Sequence, residues 1–265
     1  MNKRIALLGL LMAGSAFSMD EYLPVQQGKL EIDLGYGFVK PTGLFDDDGE
    51  RLSWDDLGAP NDFSPALHGF NLQLKYGIAA GLDLELALAA VVGNDDADIS
   101  GTDRPEIGVK YATPAMGGAG VYANVALPLA TGDLETPGNG FMTELGGVYQ
   151  NRFGDFRLTG RAGYELNFEY DGAKAGNVFS VLVKPEAMWT EYVGTYLAVN
   201  LVLSSQDEVG DFELDNGGYD LILGPGLNAQ LLDNLAYEIS VPISVAGKNT
   251  TAAWGIAAQL YYTLP

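Results

Sequence analysis

The sequence predicts an all-β fold, a transmembrane, antiparallel, up-and-down β-barrel of about twelve strands. Three observations predict it. Apolar and polar residues alternate after Gly28. The links between alternating runs are by turns short and long. Aromatic residues on the apolar parity gather toward the strand ends and leave aliphatic centres between them.

The alternation is plainest in the first two runs. Leu30, Ile32, Leu34, Tyr36 and Phe38 share one face, and Glu31, Asp33, Gly35 and Gly37 the other. Phe70, Leu72, Leu74, Tyr76 and Ile78 stand against Gly69, Asn71, Gln73, Lys75 and Gly77. Period two is the signature of a strand with two unlike faces. Further strands are expected near 82–92, 104–113, 119–129, 141–153, 156–170, 178–189, 193–204, 218–231, 235–246 and 251–264. Most are long for a soluble sheet and suit a tilted membrane strand. Pro105, Pro185, Pro225 and Pro242 fall inside these runs, where proline cannot donate a ladder bond, so bulges or strand ends are expected there.

Short links at 79–81, 114–118, 154–155, 190–192 and 232–234 alternate with acidic stretches at 41–67, 93–103, 130–140, 171–177, 205–217 and a brief one at 247–250. Outer-membrane barrels pair short periplasmic turns with longer outer loops. Tyr36, Phe38, Phe141, Tyr164, Phe168, Phe179, Tyr219 and Trp254 then form an outer girdle; Tyr76, Tyr111, Tyr149, Phe156, Trp189, Tyr237 and Tyr262 form a periplasmic one. The 27-residue stretch 41–67, with Trp54, Leu57, Phe63 and Leu67, is the expected source of any plug or cap.

Residues 1–18 read as a cleaved signal peptide: Lys3 and Arg4, an apolar run at 5–13, then Ala16, Phe17 and Ser18 before a cut at Met19. Residues 19–27 are a short periplasmic segment and 28–265 the barrel. The chain has no cysteine, which excludes disulfides, thiolate metal sites and a lipid-bearing Cys. A formal charge of −21 disfavours a nucleic-acid partner.

If the apolar parity faces lipid, the other faces the lumen. The lumen-lining candidates are Lys75, Glu85, Glu106, Lys110, Glu144, Arg152, Arg157, Arg161, Glu165, Lys184, Glu186 and Glu238, with Asp83 and Glu169 on the same parity. Lys75, Lys110, Arg152, Arg157 and Arg161 lie near periplasmic links, which predicts a positive inner zone. Two readings stand: a wet passage whose charges select solutes, or a closed interior in which these cations pair with glutamates. Inward Gly35, Gly37, Gly69, Gly77, Ala87, Ala89, Gly108, Gly120, Gly146 and Gly163 argue for open space or for tight curvature. Asp46, Asp47, Asp48 and Glu50 give the outer loops an anionic run that suits weak divalent cation binding but lacks EF-hand spacing.

No enzyme motif is present, and no cofactor or catalytic residue is expected. The single histidine, His68, sits on the parity of Phe70; the serine two residues on that an outer-membrane phospholipase would carry is absent. Pro105, Glu106, Ile107, Gly108, Val109, Lys110 and Tyr111, a Gly-rich turn, and then Val125 to Asp133 through Leu127, Pro128, Leu129, Ala130, Thr131 and Gly132, resemble the strand–turn–strand hairpin of the outer-membrane family named for the meta-pathway of phenol degradation. Leu129 and Ala130 interrupt that family's Pro-Thr-Gly-Asp run. The resemblance implies a porin-like barrel moving small, including aromatic, compounds, with outer-membrane lipid around it, and carries over no catalytic residue.

Overall fold

A computed structural model describes residues 24–60, 62–112, 118–135, 139–210 and 212–264. The expected signal peptide and most of the expected periplasmic segment lie outside these residues. Twelve wall strands run antiparallel: β1 Leu30–Phe45, β2 Leu67–Ala79, β3 Leu82–Gly93, β4 Glu106–Ala112, β5 Ala119–Ala126, β6 Met142–Phe153, β7 Phe156–Asn167, β8 Val178–Met188, β9 Val193–Ser204, β10 Gly218–Leu232, β11 in two pieces, Leu235–Ser240 and Ile243–Lys248, and β12 Thr250–Thr263. Each pairs with its chain neighbours, and β12 returns to β1, with Leu34 opposite Leu260. The sheet is therefore a closed barrel with no free edge.

Length fits the membrane. β3 has 12 residues. At ~3.3 Å per residue and a ~45° tilt such a strand spans roughly 28 Å of bilayer. Side-chain parity fits as well. Leu34, Leu88, Val109, Leu145 and Leu197 lie exposed on the outer surface, whereas Asp33, Lys75 and Asp83 are fully buried on the inner one. In water that arrangement would be inverted; a lipid solvent makes it favourable. The girdle residues Tyr36, Phe141, Tyr164, Phe168 and Trp254 above, and Tyr76, Tyr111, Phe156 and Trp189 below, are all exposed on the outer surface.

The structure differs from the sequence reading where proline and loop chemistry intervene. β1 runs on to Phe45 through a bulge between Pro41 and Gly43, so the first outer loop begins after Phe45. β4 begins just after Pro105, and β5 stops at Ala126 before Pro128. Val241 and Pro242 split β11; the Val241 N–H turns to the Pro225 carbonyl at 2.9 Å and the Gly255 N–H to Pro242 at 2.8 Å. The β8–β9 ladder skips Lys184 and Pro185. At the periplasmic end, Val25 is buried, and its N–H donates to the Asp83 carboxylate at 2.9 Å. The visible end of the expected periplasmic segment is thus folded against the inner wall.

The outer loops form two groups. The described residues of stretches 46–66, 94–105 and 127–141 interlock above β1–β5. Ala173–Lys174, Glu208–Val209 and Phe212–Glu213 make a separate small sheet above β7–β10. Loop carboxylates organise their own backbone. Asp46 accepts the N–H groups of Asp48 and Glu50, Asp96 that of Ser64, and Asp207 that of Gly176. Asp56 accepts both the N–H and the hydroxyl of Ser53, and these bonds hold its carboxyl below the ordinary carboxylate range. Among the described residues, no group of three or more Asp, Glu or His has the arrangement to hold a metal ion.

Candidate functional site

The inner wall carries a ladder of ion pairs. Lys75, from the middle of β2, sits 2.5 Å from Asp33 and 3.3 Å from Glu31, both on β1. Lys110 of β4 lies 2.8 Å from Glu85 and 3.9 Å from Asp83 on β3. Arg161 of β7 makes a two-oxygen contact with Glu144 of β6, at 2.7 and 2.8 Å, and its Nε donates to the Tyr122 hydroxyl at 2.8 Å. Arg157 meets Glu186 at 2.6 Å, and Lys184 meets Glu238 at 2.9 Å. The positive inner zone expected from sequence is therefore not formed. Five cations face Glu31, Asp33, Asp83, Glu85, Glu144, Glu186 and Glu238, so the ladder itself is net anionic. The physical reason is pairing across the wall, between neighbouring strands for four of the cations and over two intervening strands for Lys184, since a lone buried charge costs far more than a paired one.

The other candidates lie around this ladder. Glu165 accepts from the Asn167 side chain at 2.8 Å, and half-buried Glu106 lies between Ala87 and Ala126 in the strand register. Arg152 stays exposed at the periplasmic rim and donates to the Gly154 carbonyl at 2.9 Å, so it joins no ladder pair.

Sequence reasoning did not find the tyrosines. Tyr122, Tyr196 and Tyr261 point inward and are buried. A cation lies over each ring: Arg161 at 4.6 Å, Lys184 at 4.5 Å and Lys75 at 5.9 Å. The Tyr122 hydroxyl donates to Glu144 at 2.5 Å and that of Tyr196 to Glu238 at 2.7 Å. Their presence on the polar parity, beside Gly120 and Gly194, is the sequence feature that reveals them.

They also explain several inward glycines. A Cβ at Gly146 or Gly163 would overlap Tyr122, and one at Gly226 would overlap Tyr196. Asn71 similarly covers Gly35, Asn124 covers Gly108, and Val25 with Gln26 covers Gly77. These glycines are floors on which neighbouring side chains lie flat, rather than open space. Gly69 differs: a Cβ there would meet nothing within 4 Å.

At the periplasmic end the ladder borders a recess of about 520 Å³, counted with adjoining solvent, whose lining includes Gln150, Arg157, Lys184, Asn228, Glu238 and Tyr261. At the outer end the inward residues Val39, Leu67 and Val91 form an apolar cluster with Ile99 and Leu134 from two loops. Of the apolar residues expected to plug the mouth, only Leu67 joins it. Trp54 packs edge-on against Phe63 at 5.4 Å, and Leu57 remains exposed. His68, on the outer girdle, hydrogen-bonds the Tyr36 hydroxyl at 2.8 Å and stacks near Phe38 at 5.4 Å.

A family model described as "Putative MetA-pathway of phenol degradation" matches residues 42–260. The chain belongs to this family. The match spans nearly all of the barrel wall, so the resemblance seen in the β4–β5 hairpin extends around it. Among solved structures, the COG4313 outer membrane channel from Pseudomonas putida F1 superposes with a TM-score of 0.78 at 11% identity, covering 92% of this chain and 98% of that one. The β domain of the Bordetella autotransporter BrkA aligns with a TM-score of 0.54 at 12% identity, over 89% of this chain and 99% of its own. The NanC porin aligns with a TM-score of 0.52 at 9% identity, over 88% and 100%. At these identities the likeness is one of fold, an outer-membrane β-barrel. Among the curated proteins none matches the chain by sequence.

Proposed function

We propose that this family member is an outer-membrane channel for small solutes, with the aromatic compounds named in its family's pathway as the favoured class. The single observation that carries the reading is the chemistry of the inner wall. A barrel that only needed filling is more stable with apolar side chains than with buried ion pairs. This one holds charges, amides and tyrosine hydroxyls inside a lipid-facing shell, with a solvent-reaching recess at the periplasmic end. The surplus of carboxylates over cations makes the passage reject anions. Lys75, Lys110, Arg157, Arg161 and Lys184 then hold the wall's shape, and Glu106 and Glu165 add carboxyl groups above them. Residues 1–18 direct export and are removed before Met19, and outer-membrane lipid is the protein's solvent.

Single-channel recording of the purified protein in a planar bilayer tests this. Discrete steps with a reversal potential on the cation side are expected. The pairing of the ladder cations favours a second reading, a non-conducting structural barrel. Folded protein that inserts and gives no steps would establish that reading instead.

A further inference from the structure

The apolar cluster at the outer mouth is out of character with the lumen beneath it. Val39, Leu67 and Val91 are neighbours on the inward rows of β1, β2 and β3, toward the outer ends; below them the same rows carry Asp33, Gln73, Lys75 and Glu85. Ile99 and Leu134, which close the cluster, come from loops and not from the wall.

Local chemistry sends both residues inward. In the loop after β3, the Asn94 side chain accepts the N–H groups of Ala66 and Ala97 and donates to the Ser64 carbonyl. Asp98 adopts a left-handed φ of 44°, and the Gly93 N–H meets the Ile99 carbonyl at 2.6 Å. In the loop after β5, Gly132 at φ 65° starts a 3-10 turn, Gly132–Leu134, that buries Leu134.

The two loops then clasp each other. The Ser100 N–H donates to the Asp133 carboxylate at 3.0 Å, Thr131 N–H to the Thr102 carbonyl at 3.0 Å, and the Thr102 and Thr131 hydroxyls meet at 2.8 Å. The backbones touch so closely that a Cβ on Gly101 would overlap the Thr131 carbonyl, and one on Gly132 that of Ser100.

We propose that the cluster of Val39, Leu67, Val91, Ile99 and Leu134 is the admission site for small apolar solutes, and that the Thr102–Thr131 clasp is its lid. The inference rests on the channel reading above and names the solute class at its outer end. A hydrated ion pressed into five apolar side chains loses its water without replacement, while an apolar ring gains about 25 cal/mol for each Å² it buries. An apolar solute can therefore displace Leu134 by taking over its contacts with Ile99 and the wall. Ile99 adjoins Ser100–Thr102, which pairs with Ala90–Val92 of β3 and stays with the wall, whereas Leu134 sits on a loop turn, which hinges more readily.

The native chain has no cysteine, so Thr102→Cys with Thr131→Cys places a single disulfide across the clasp. Cells with a lipopolysaccharide outer leaflet and no general porins would express wild type, this pair, each single variant, or Leu134→Ser. Heat-modifiable gel mobility checks that each barrel is folded. The probes are neutral N-phenyl-1-naphthylamine and its charged relative 8-anilino-1-naphthalenesulfonate.

Wild type should admit the neutral probe faster than the charged one. Oxidising the paired variant should bring uptake down to the empty-vector rate, and reduction should restore it, while the single variants stay unaffected. Leu134→Ser should admit more of both probes and narrow the preference. Equal uptake by the oxidised and reduced pair, both above empty vector, overturns the lid and leaves the channel reading standing. A wild type that admits both probes equally overturns the apolar admission site. Folded barrels that never exceed empty vector overturn the channel reading and the lid with it.

Discussion

At the outer mouth five apolar side chains close on one another, two of them from loops. A few residues down the same strands, Lys75 lies between Glu31 and Asp33 with almost no solvent contact. Both regions are buried within one wall, yet they resist perturbation differently. The mouth is held by burial and by hydrogen bonds between loops, so a fault there can be absorbed by local opening. The ladder belongs to the strand register itself, and a fault in it leaves a charge with nowhere to go.

Lys75→Met should therefore be the most damaging single change. It strands Glu31 and Asp33 in a dry wall, and breaking a buried pair costs roughly 3–5 kcal/mol. The midpoint of urea unfolding, followed by heat-modifiable mobility, should fall by a corresponding amount. A midpoint equal to wild type would mean that water reaches the pair and that the ladder is softer than its burial implies. Leu134→Ala removes a comparable volume from the mouth. A buried Leu→Ala change costs about 2–5 kcal/mol. Here that loss should appear as faster amide exchange in 94–105 and 127–135, with the unfolding midpoint nearly unchanged. A global shift would show that the mouth is part of the cooperative unit.

A third change probes how tyrosine and glycine share the wall. Gly226→Ala puts a methyl group into the space occupied by the Tyr196 ring. Overpacking of this kind costs typically about 1–3 kcal/mol. Because Tyr196 donates to Glu238 and lies under Lys184, its displacement should loosen that pair too. Gly69→Ala, where nothing stands within 4 Å, is the matched control and should leave the midpoint unmoved.

These contrasts mark how far the sequence alone reaches. Strand number, facing and the girdles were legible because alternation is a local property imposed by lipid on one side and a polar interior on the other. Arg161 with Glu144 was also foreseeable, since both were on the inner parity. That Lys184 pairs with Glu238 and not with Glu186, two residues along its own strand, was not, because β9 and β10 stand between β8 and β11 and only closure of the barrel brings those side chains together. Ile99 and Leu134 were hidden for a different reason. Loops have no period, so nothing in the pattern says which of their apolar residues turn inward. Trp54 and Phe63 looked the better plug by size, but they pack on each other.

Ion selectivity sharpens the comparison further. Replacing Arg157 and Arg161 together by Gln leaves Glu186 and Glu144 facing the lumen without their partners, so the reversal potential should move toward cations. The movement should shrink at 1 M salt, where the Debye length is about 3 Å. An unchanged potential at low salt, with conductance intact, would place the permeation path away from β6–β8.

The smallest expected effect lies in the first outer loop, outside both regions. Asp56 accepts two hydrogen bonds from Ser53, at 2.9 and 2.7 Å, and its carboxyl is held below its usual value. A depressed carboxylate stabilises the fold above its unfolded pKa of about 4, and the contribution is lost as pH falls through the lower folded value. The turn spanning Ser53 to Gly58 should thus hold at neutral pH and loosen only under acid. Trp54 reports it directly, because its ring packs on Phe63 and its indole N–H donates to the Pro41 carbonyl at 3.1 Å. With Trp189 and Trp254 replaced by Phe, Trp54 emission should stay constant through the neutral range and shift below the ordinary carboxylate value. In Asp56→Asn the acid-dependent step should disappear. A step of undiminished size would assign the transition to another group in the loop. Since the turn lies away from the ladder, neither variant should alter the reversal potential, and a coupled change would tie the first loop to the permeation path.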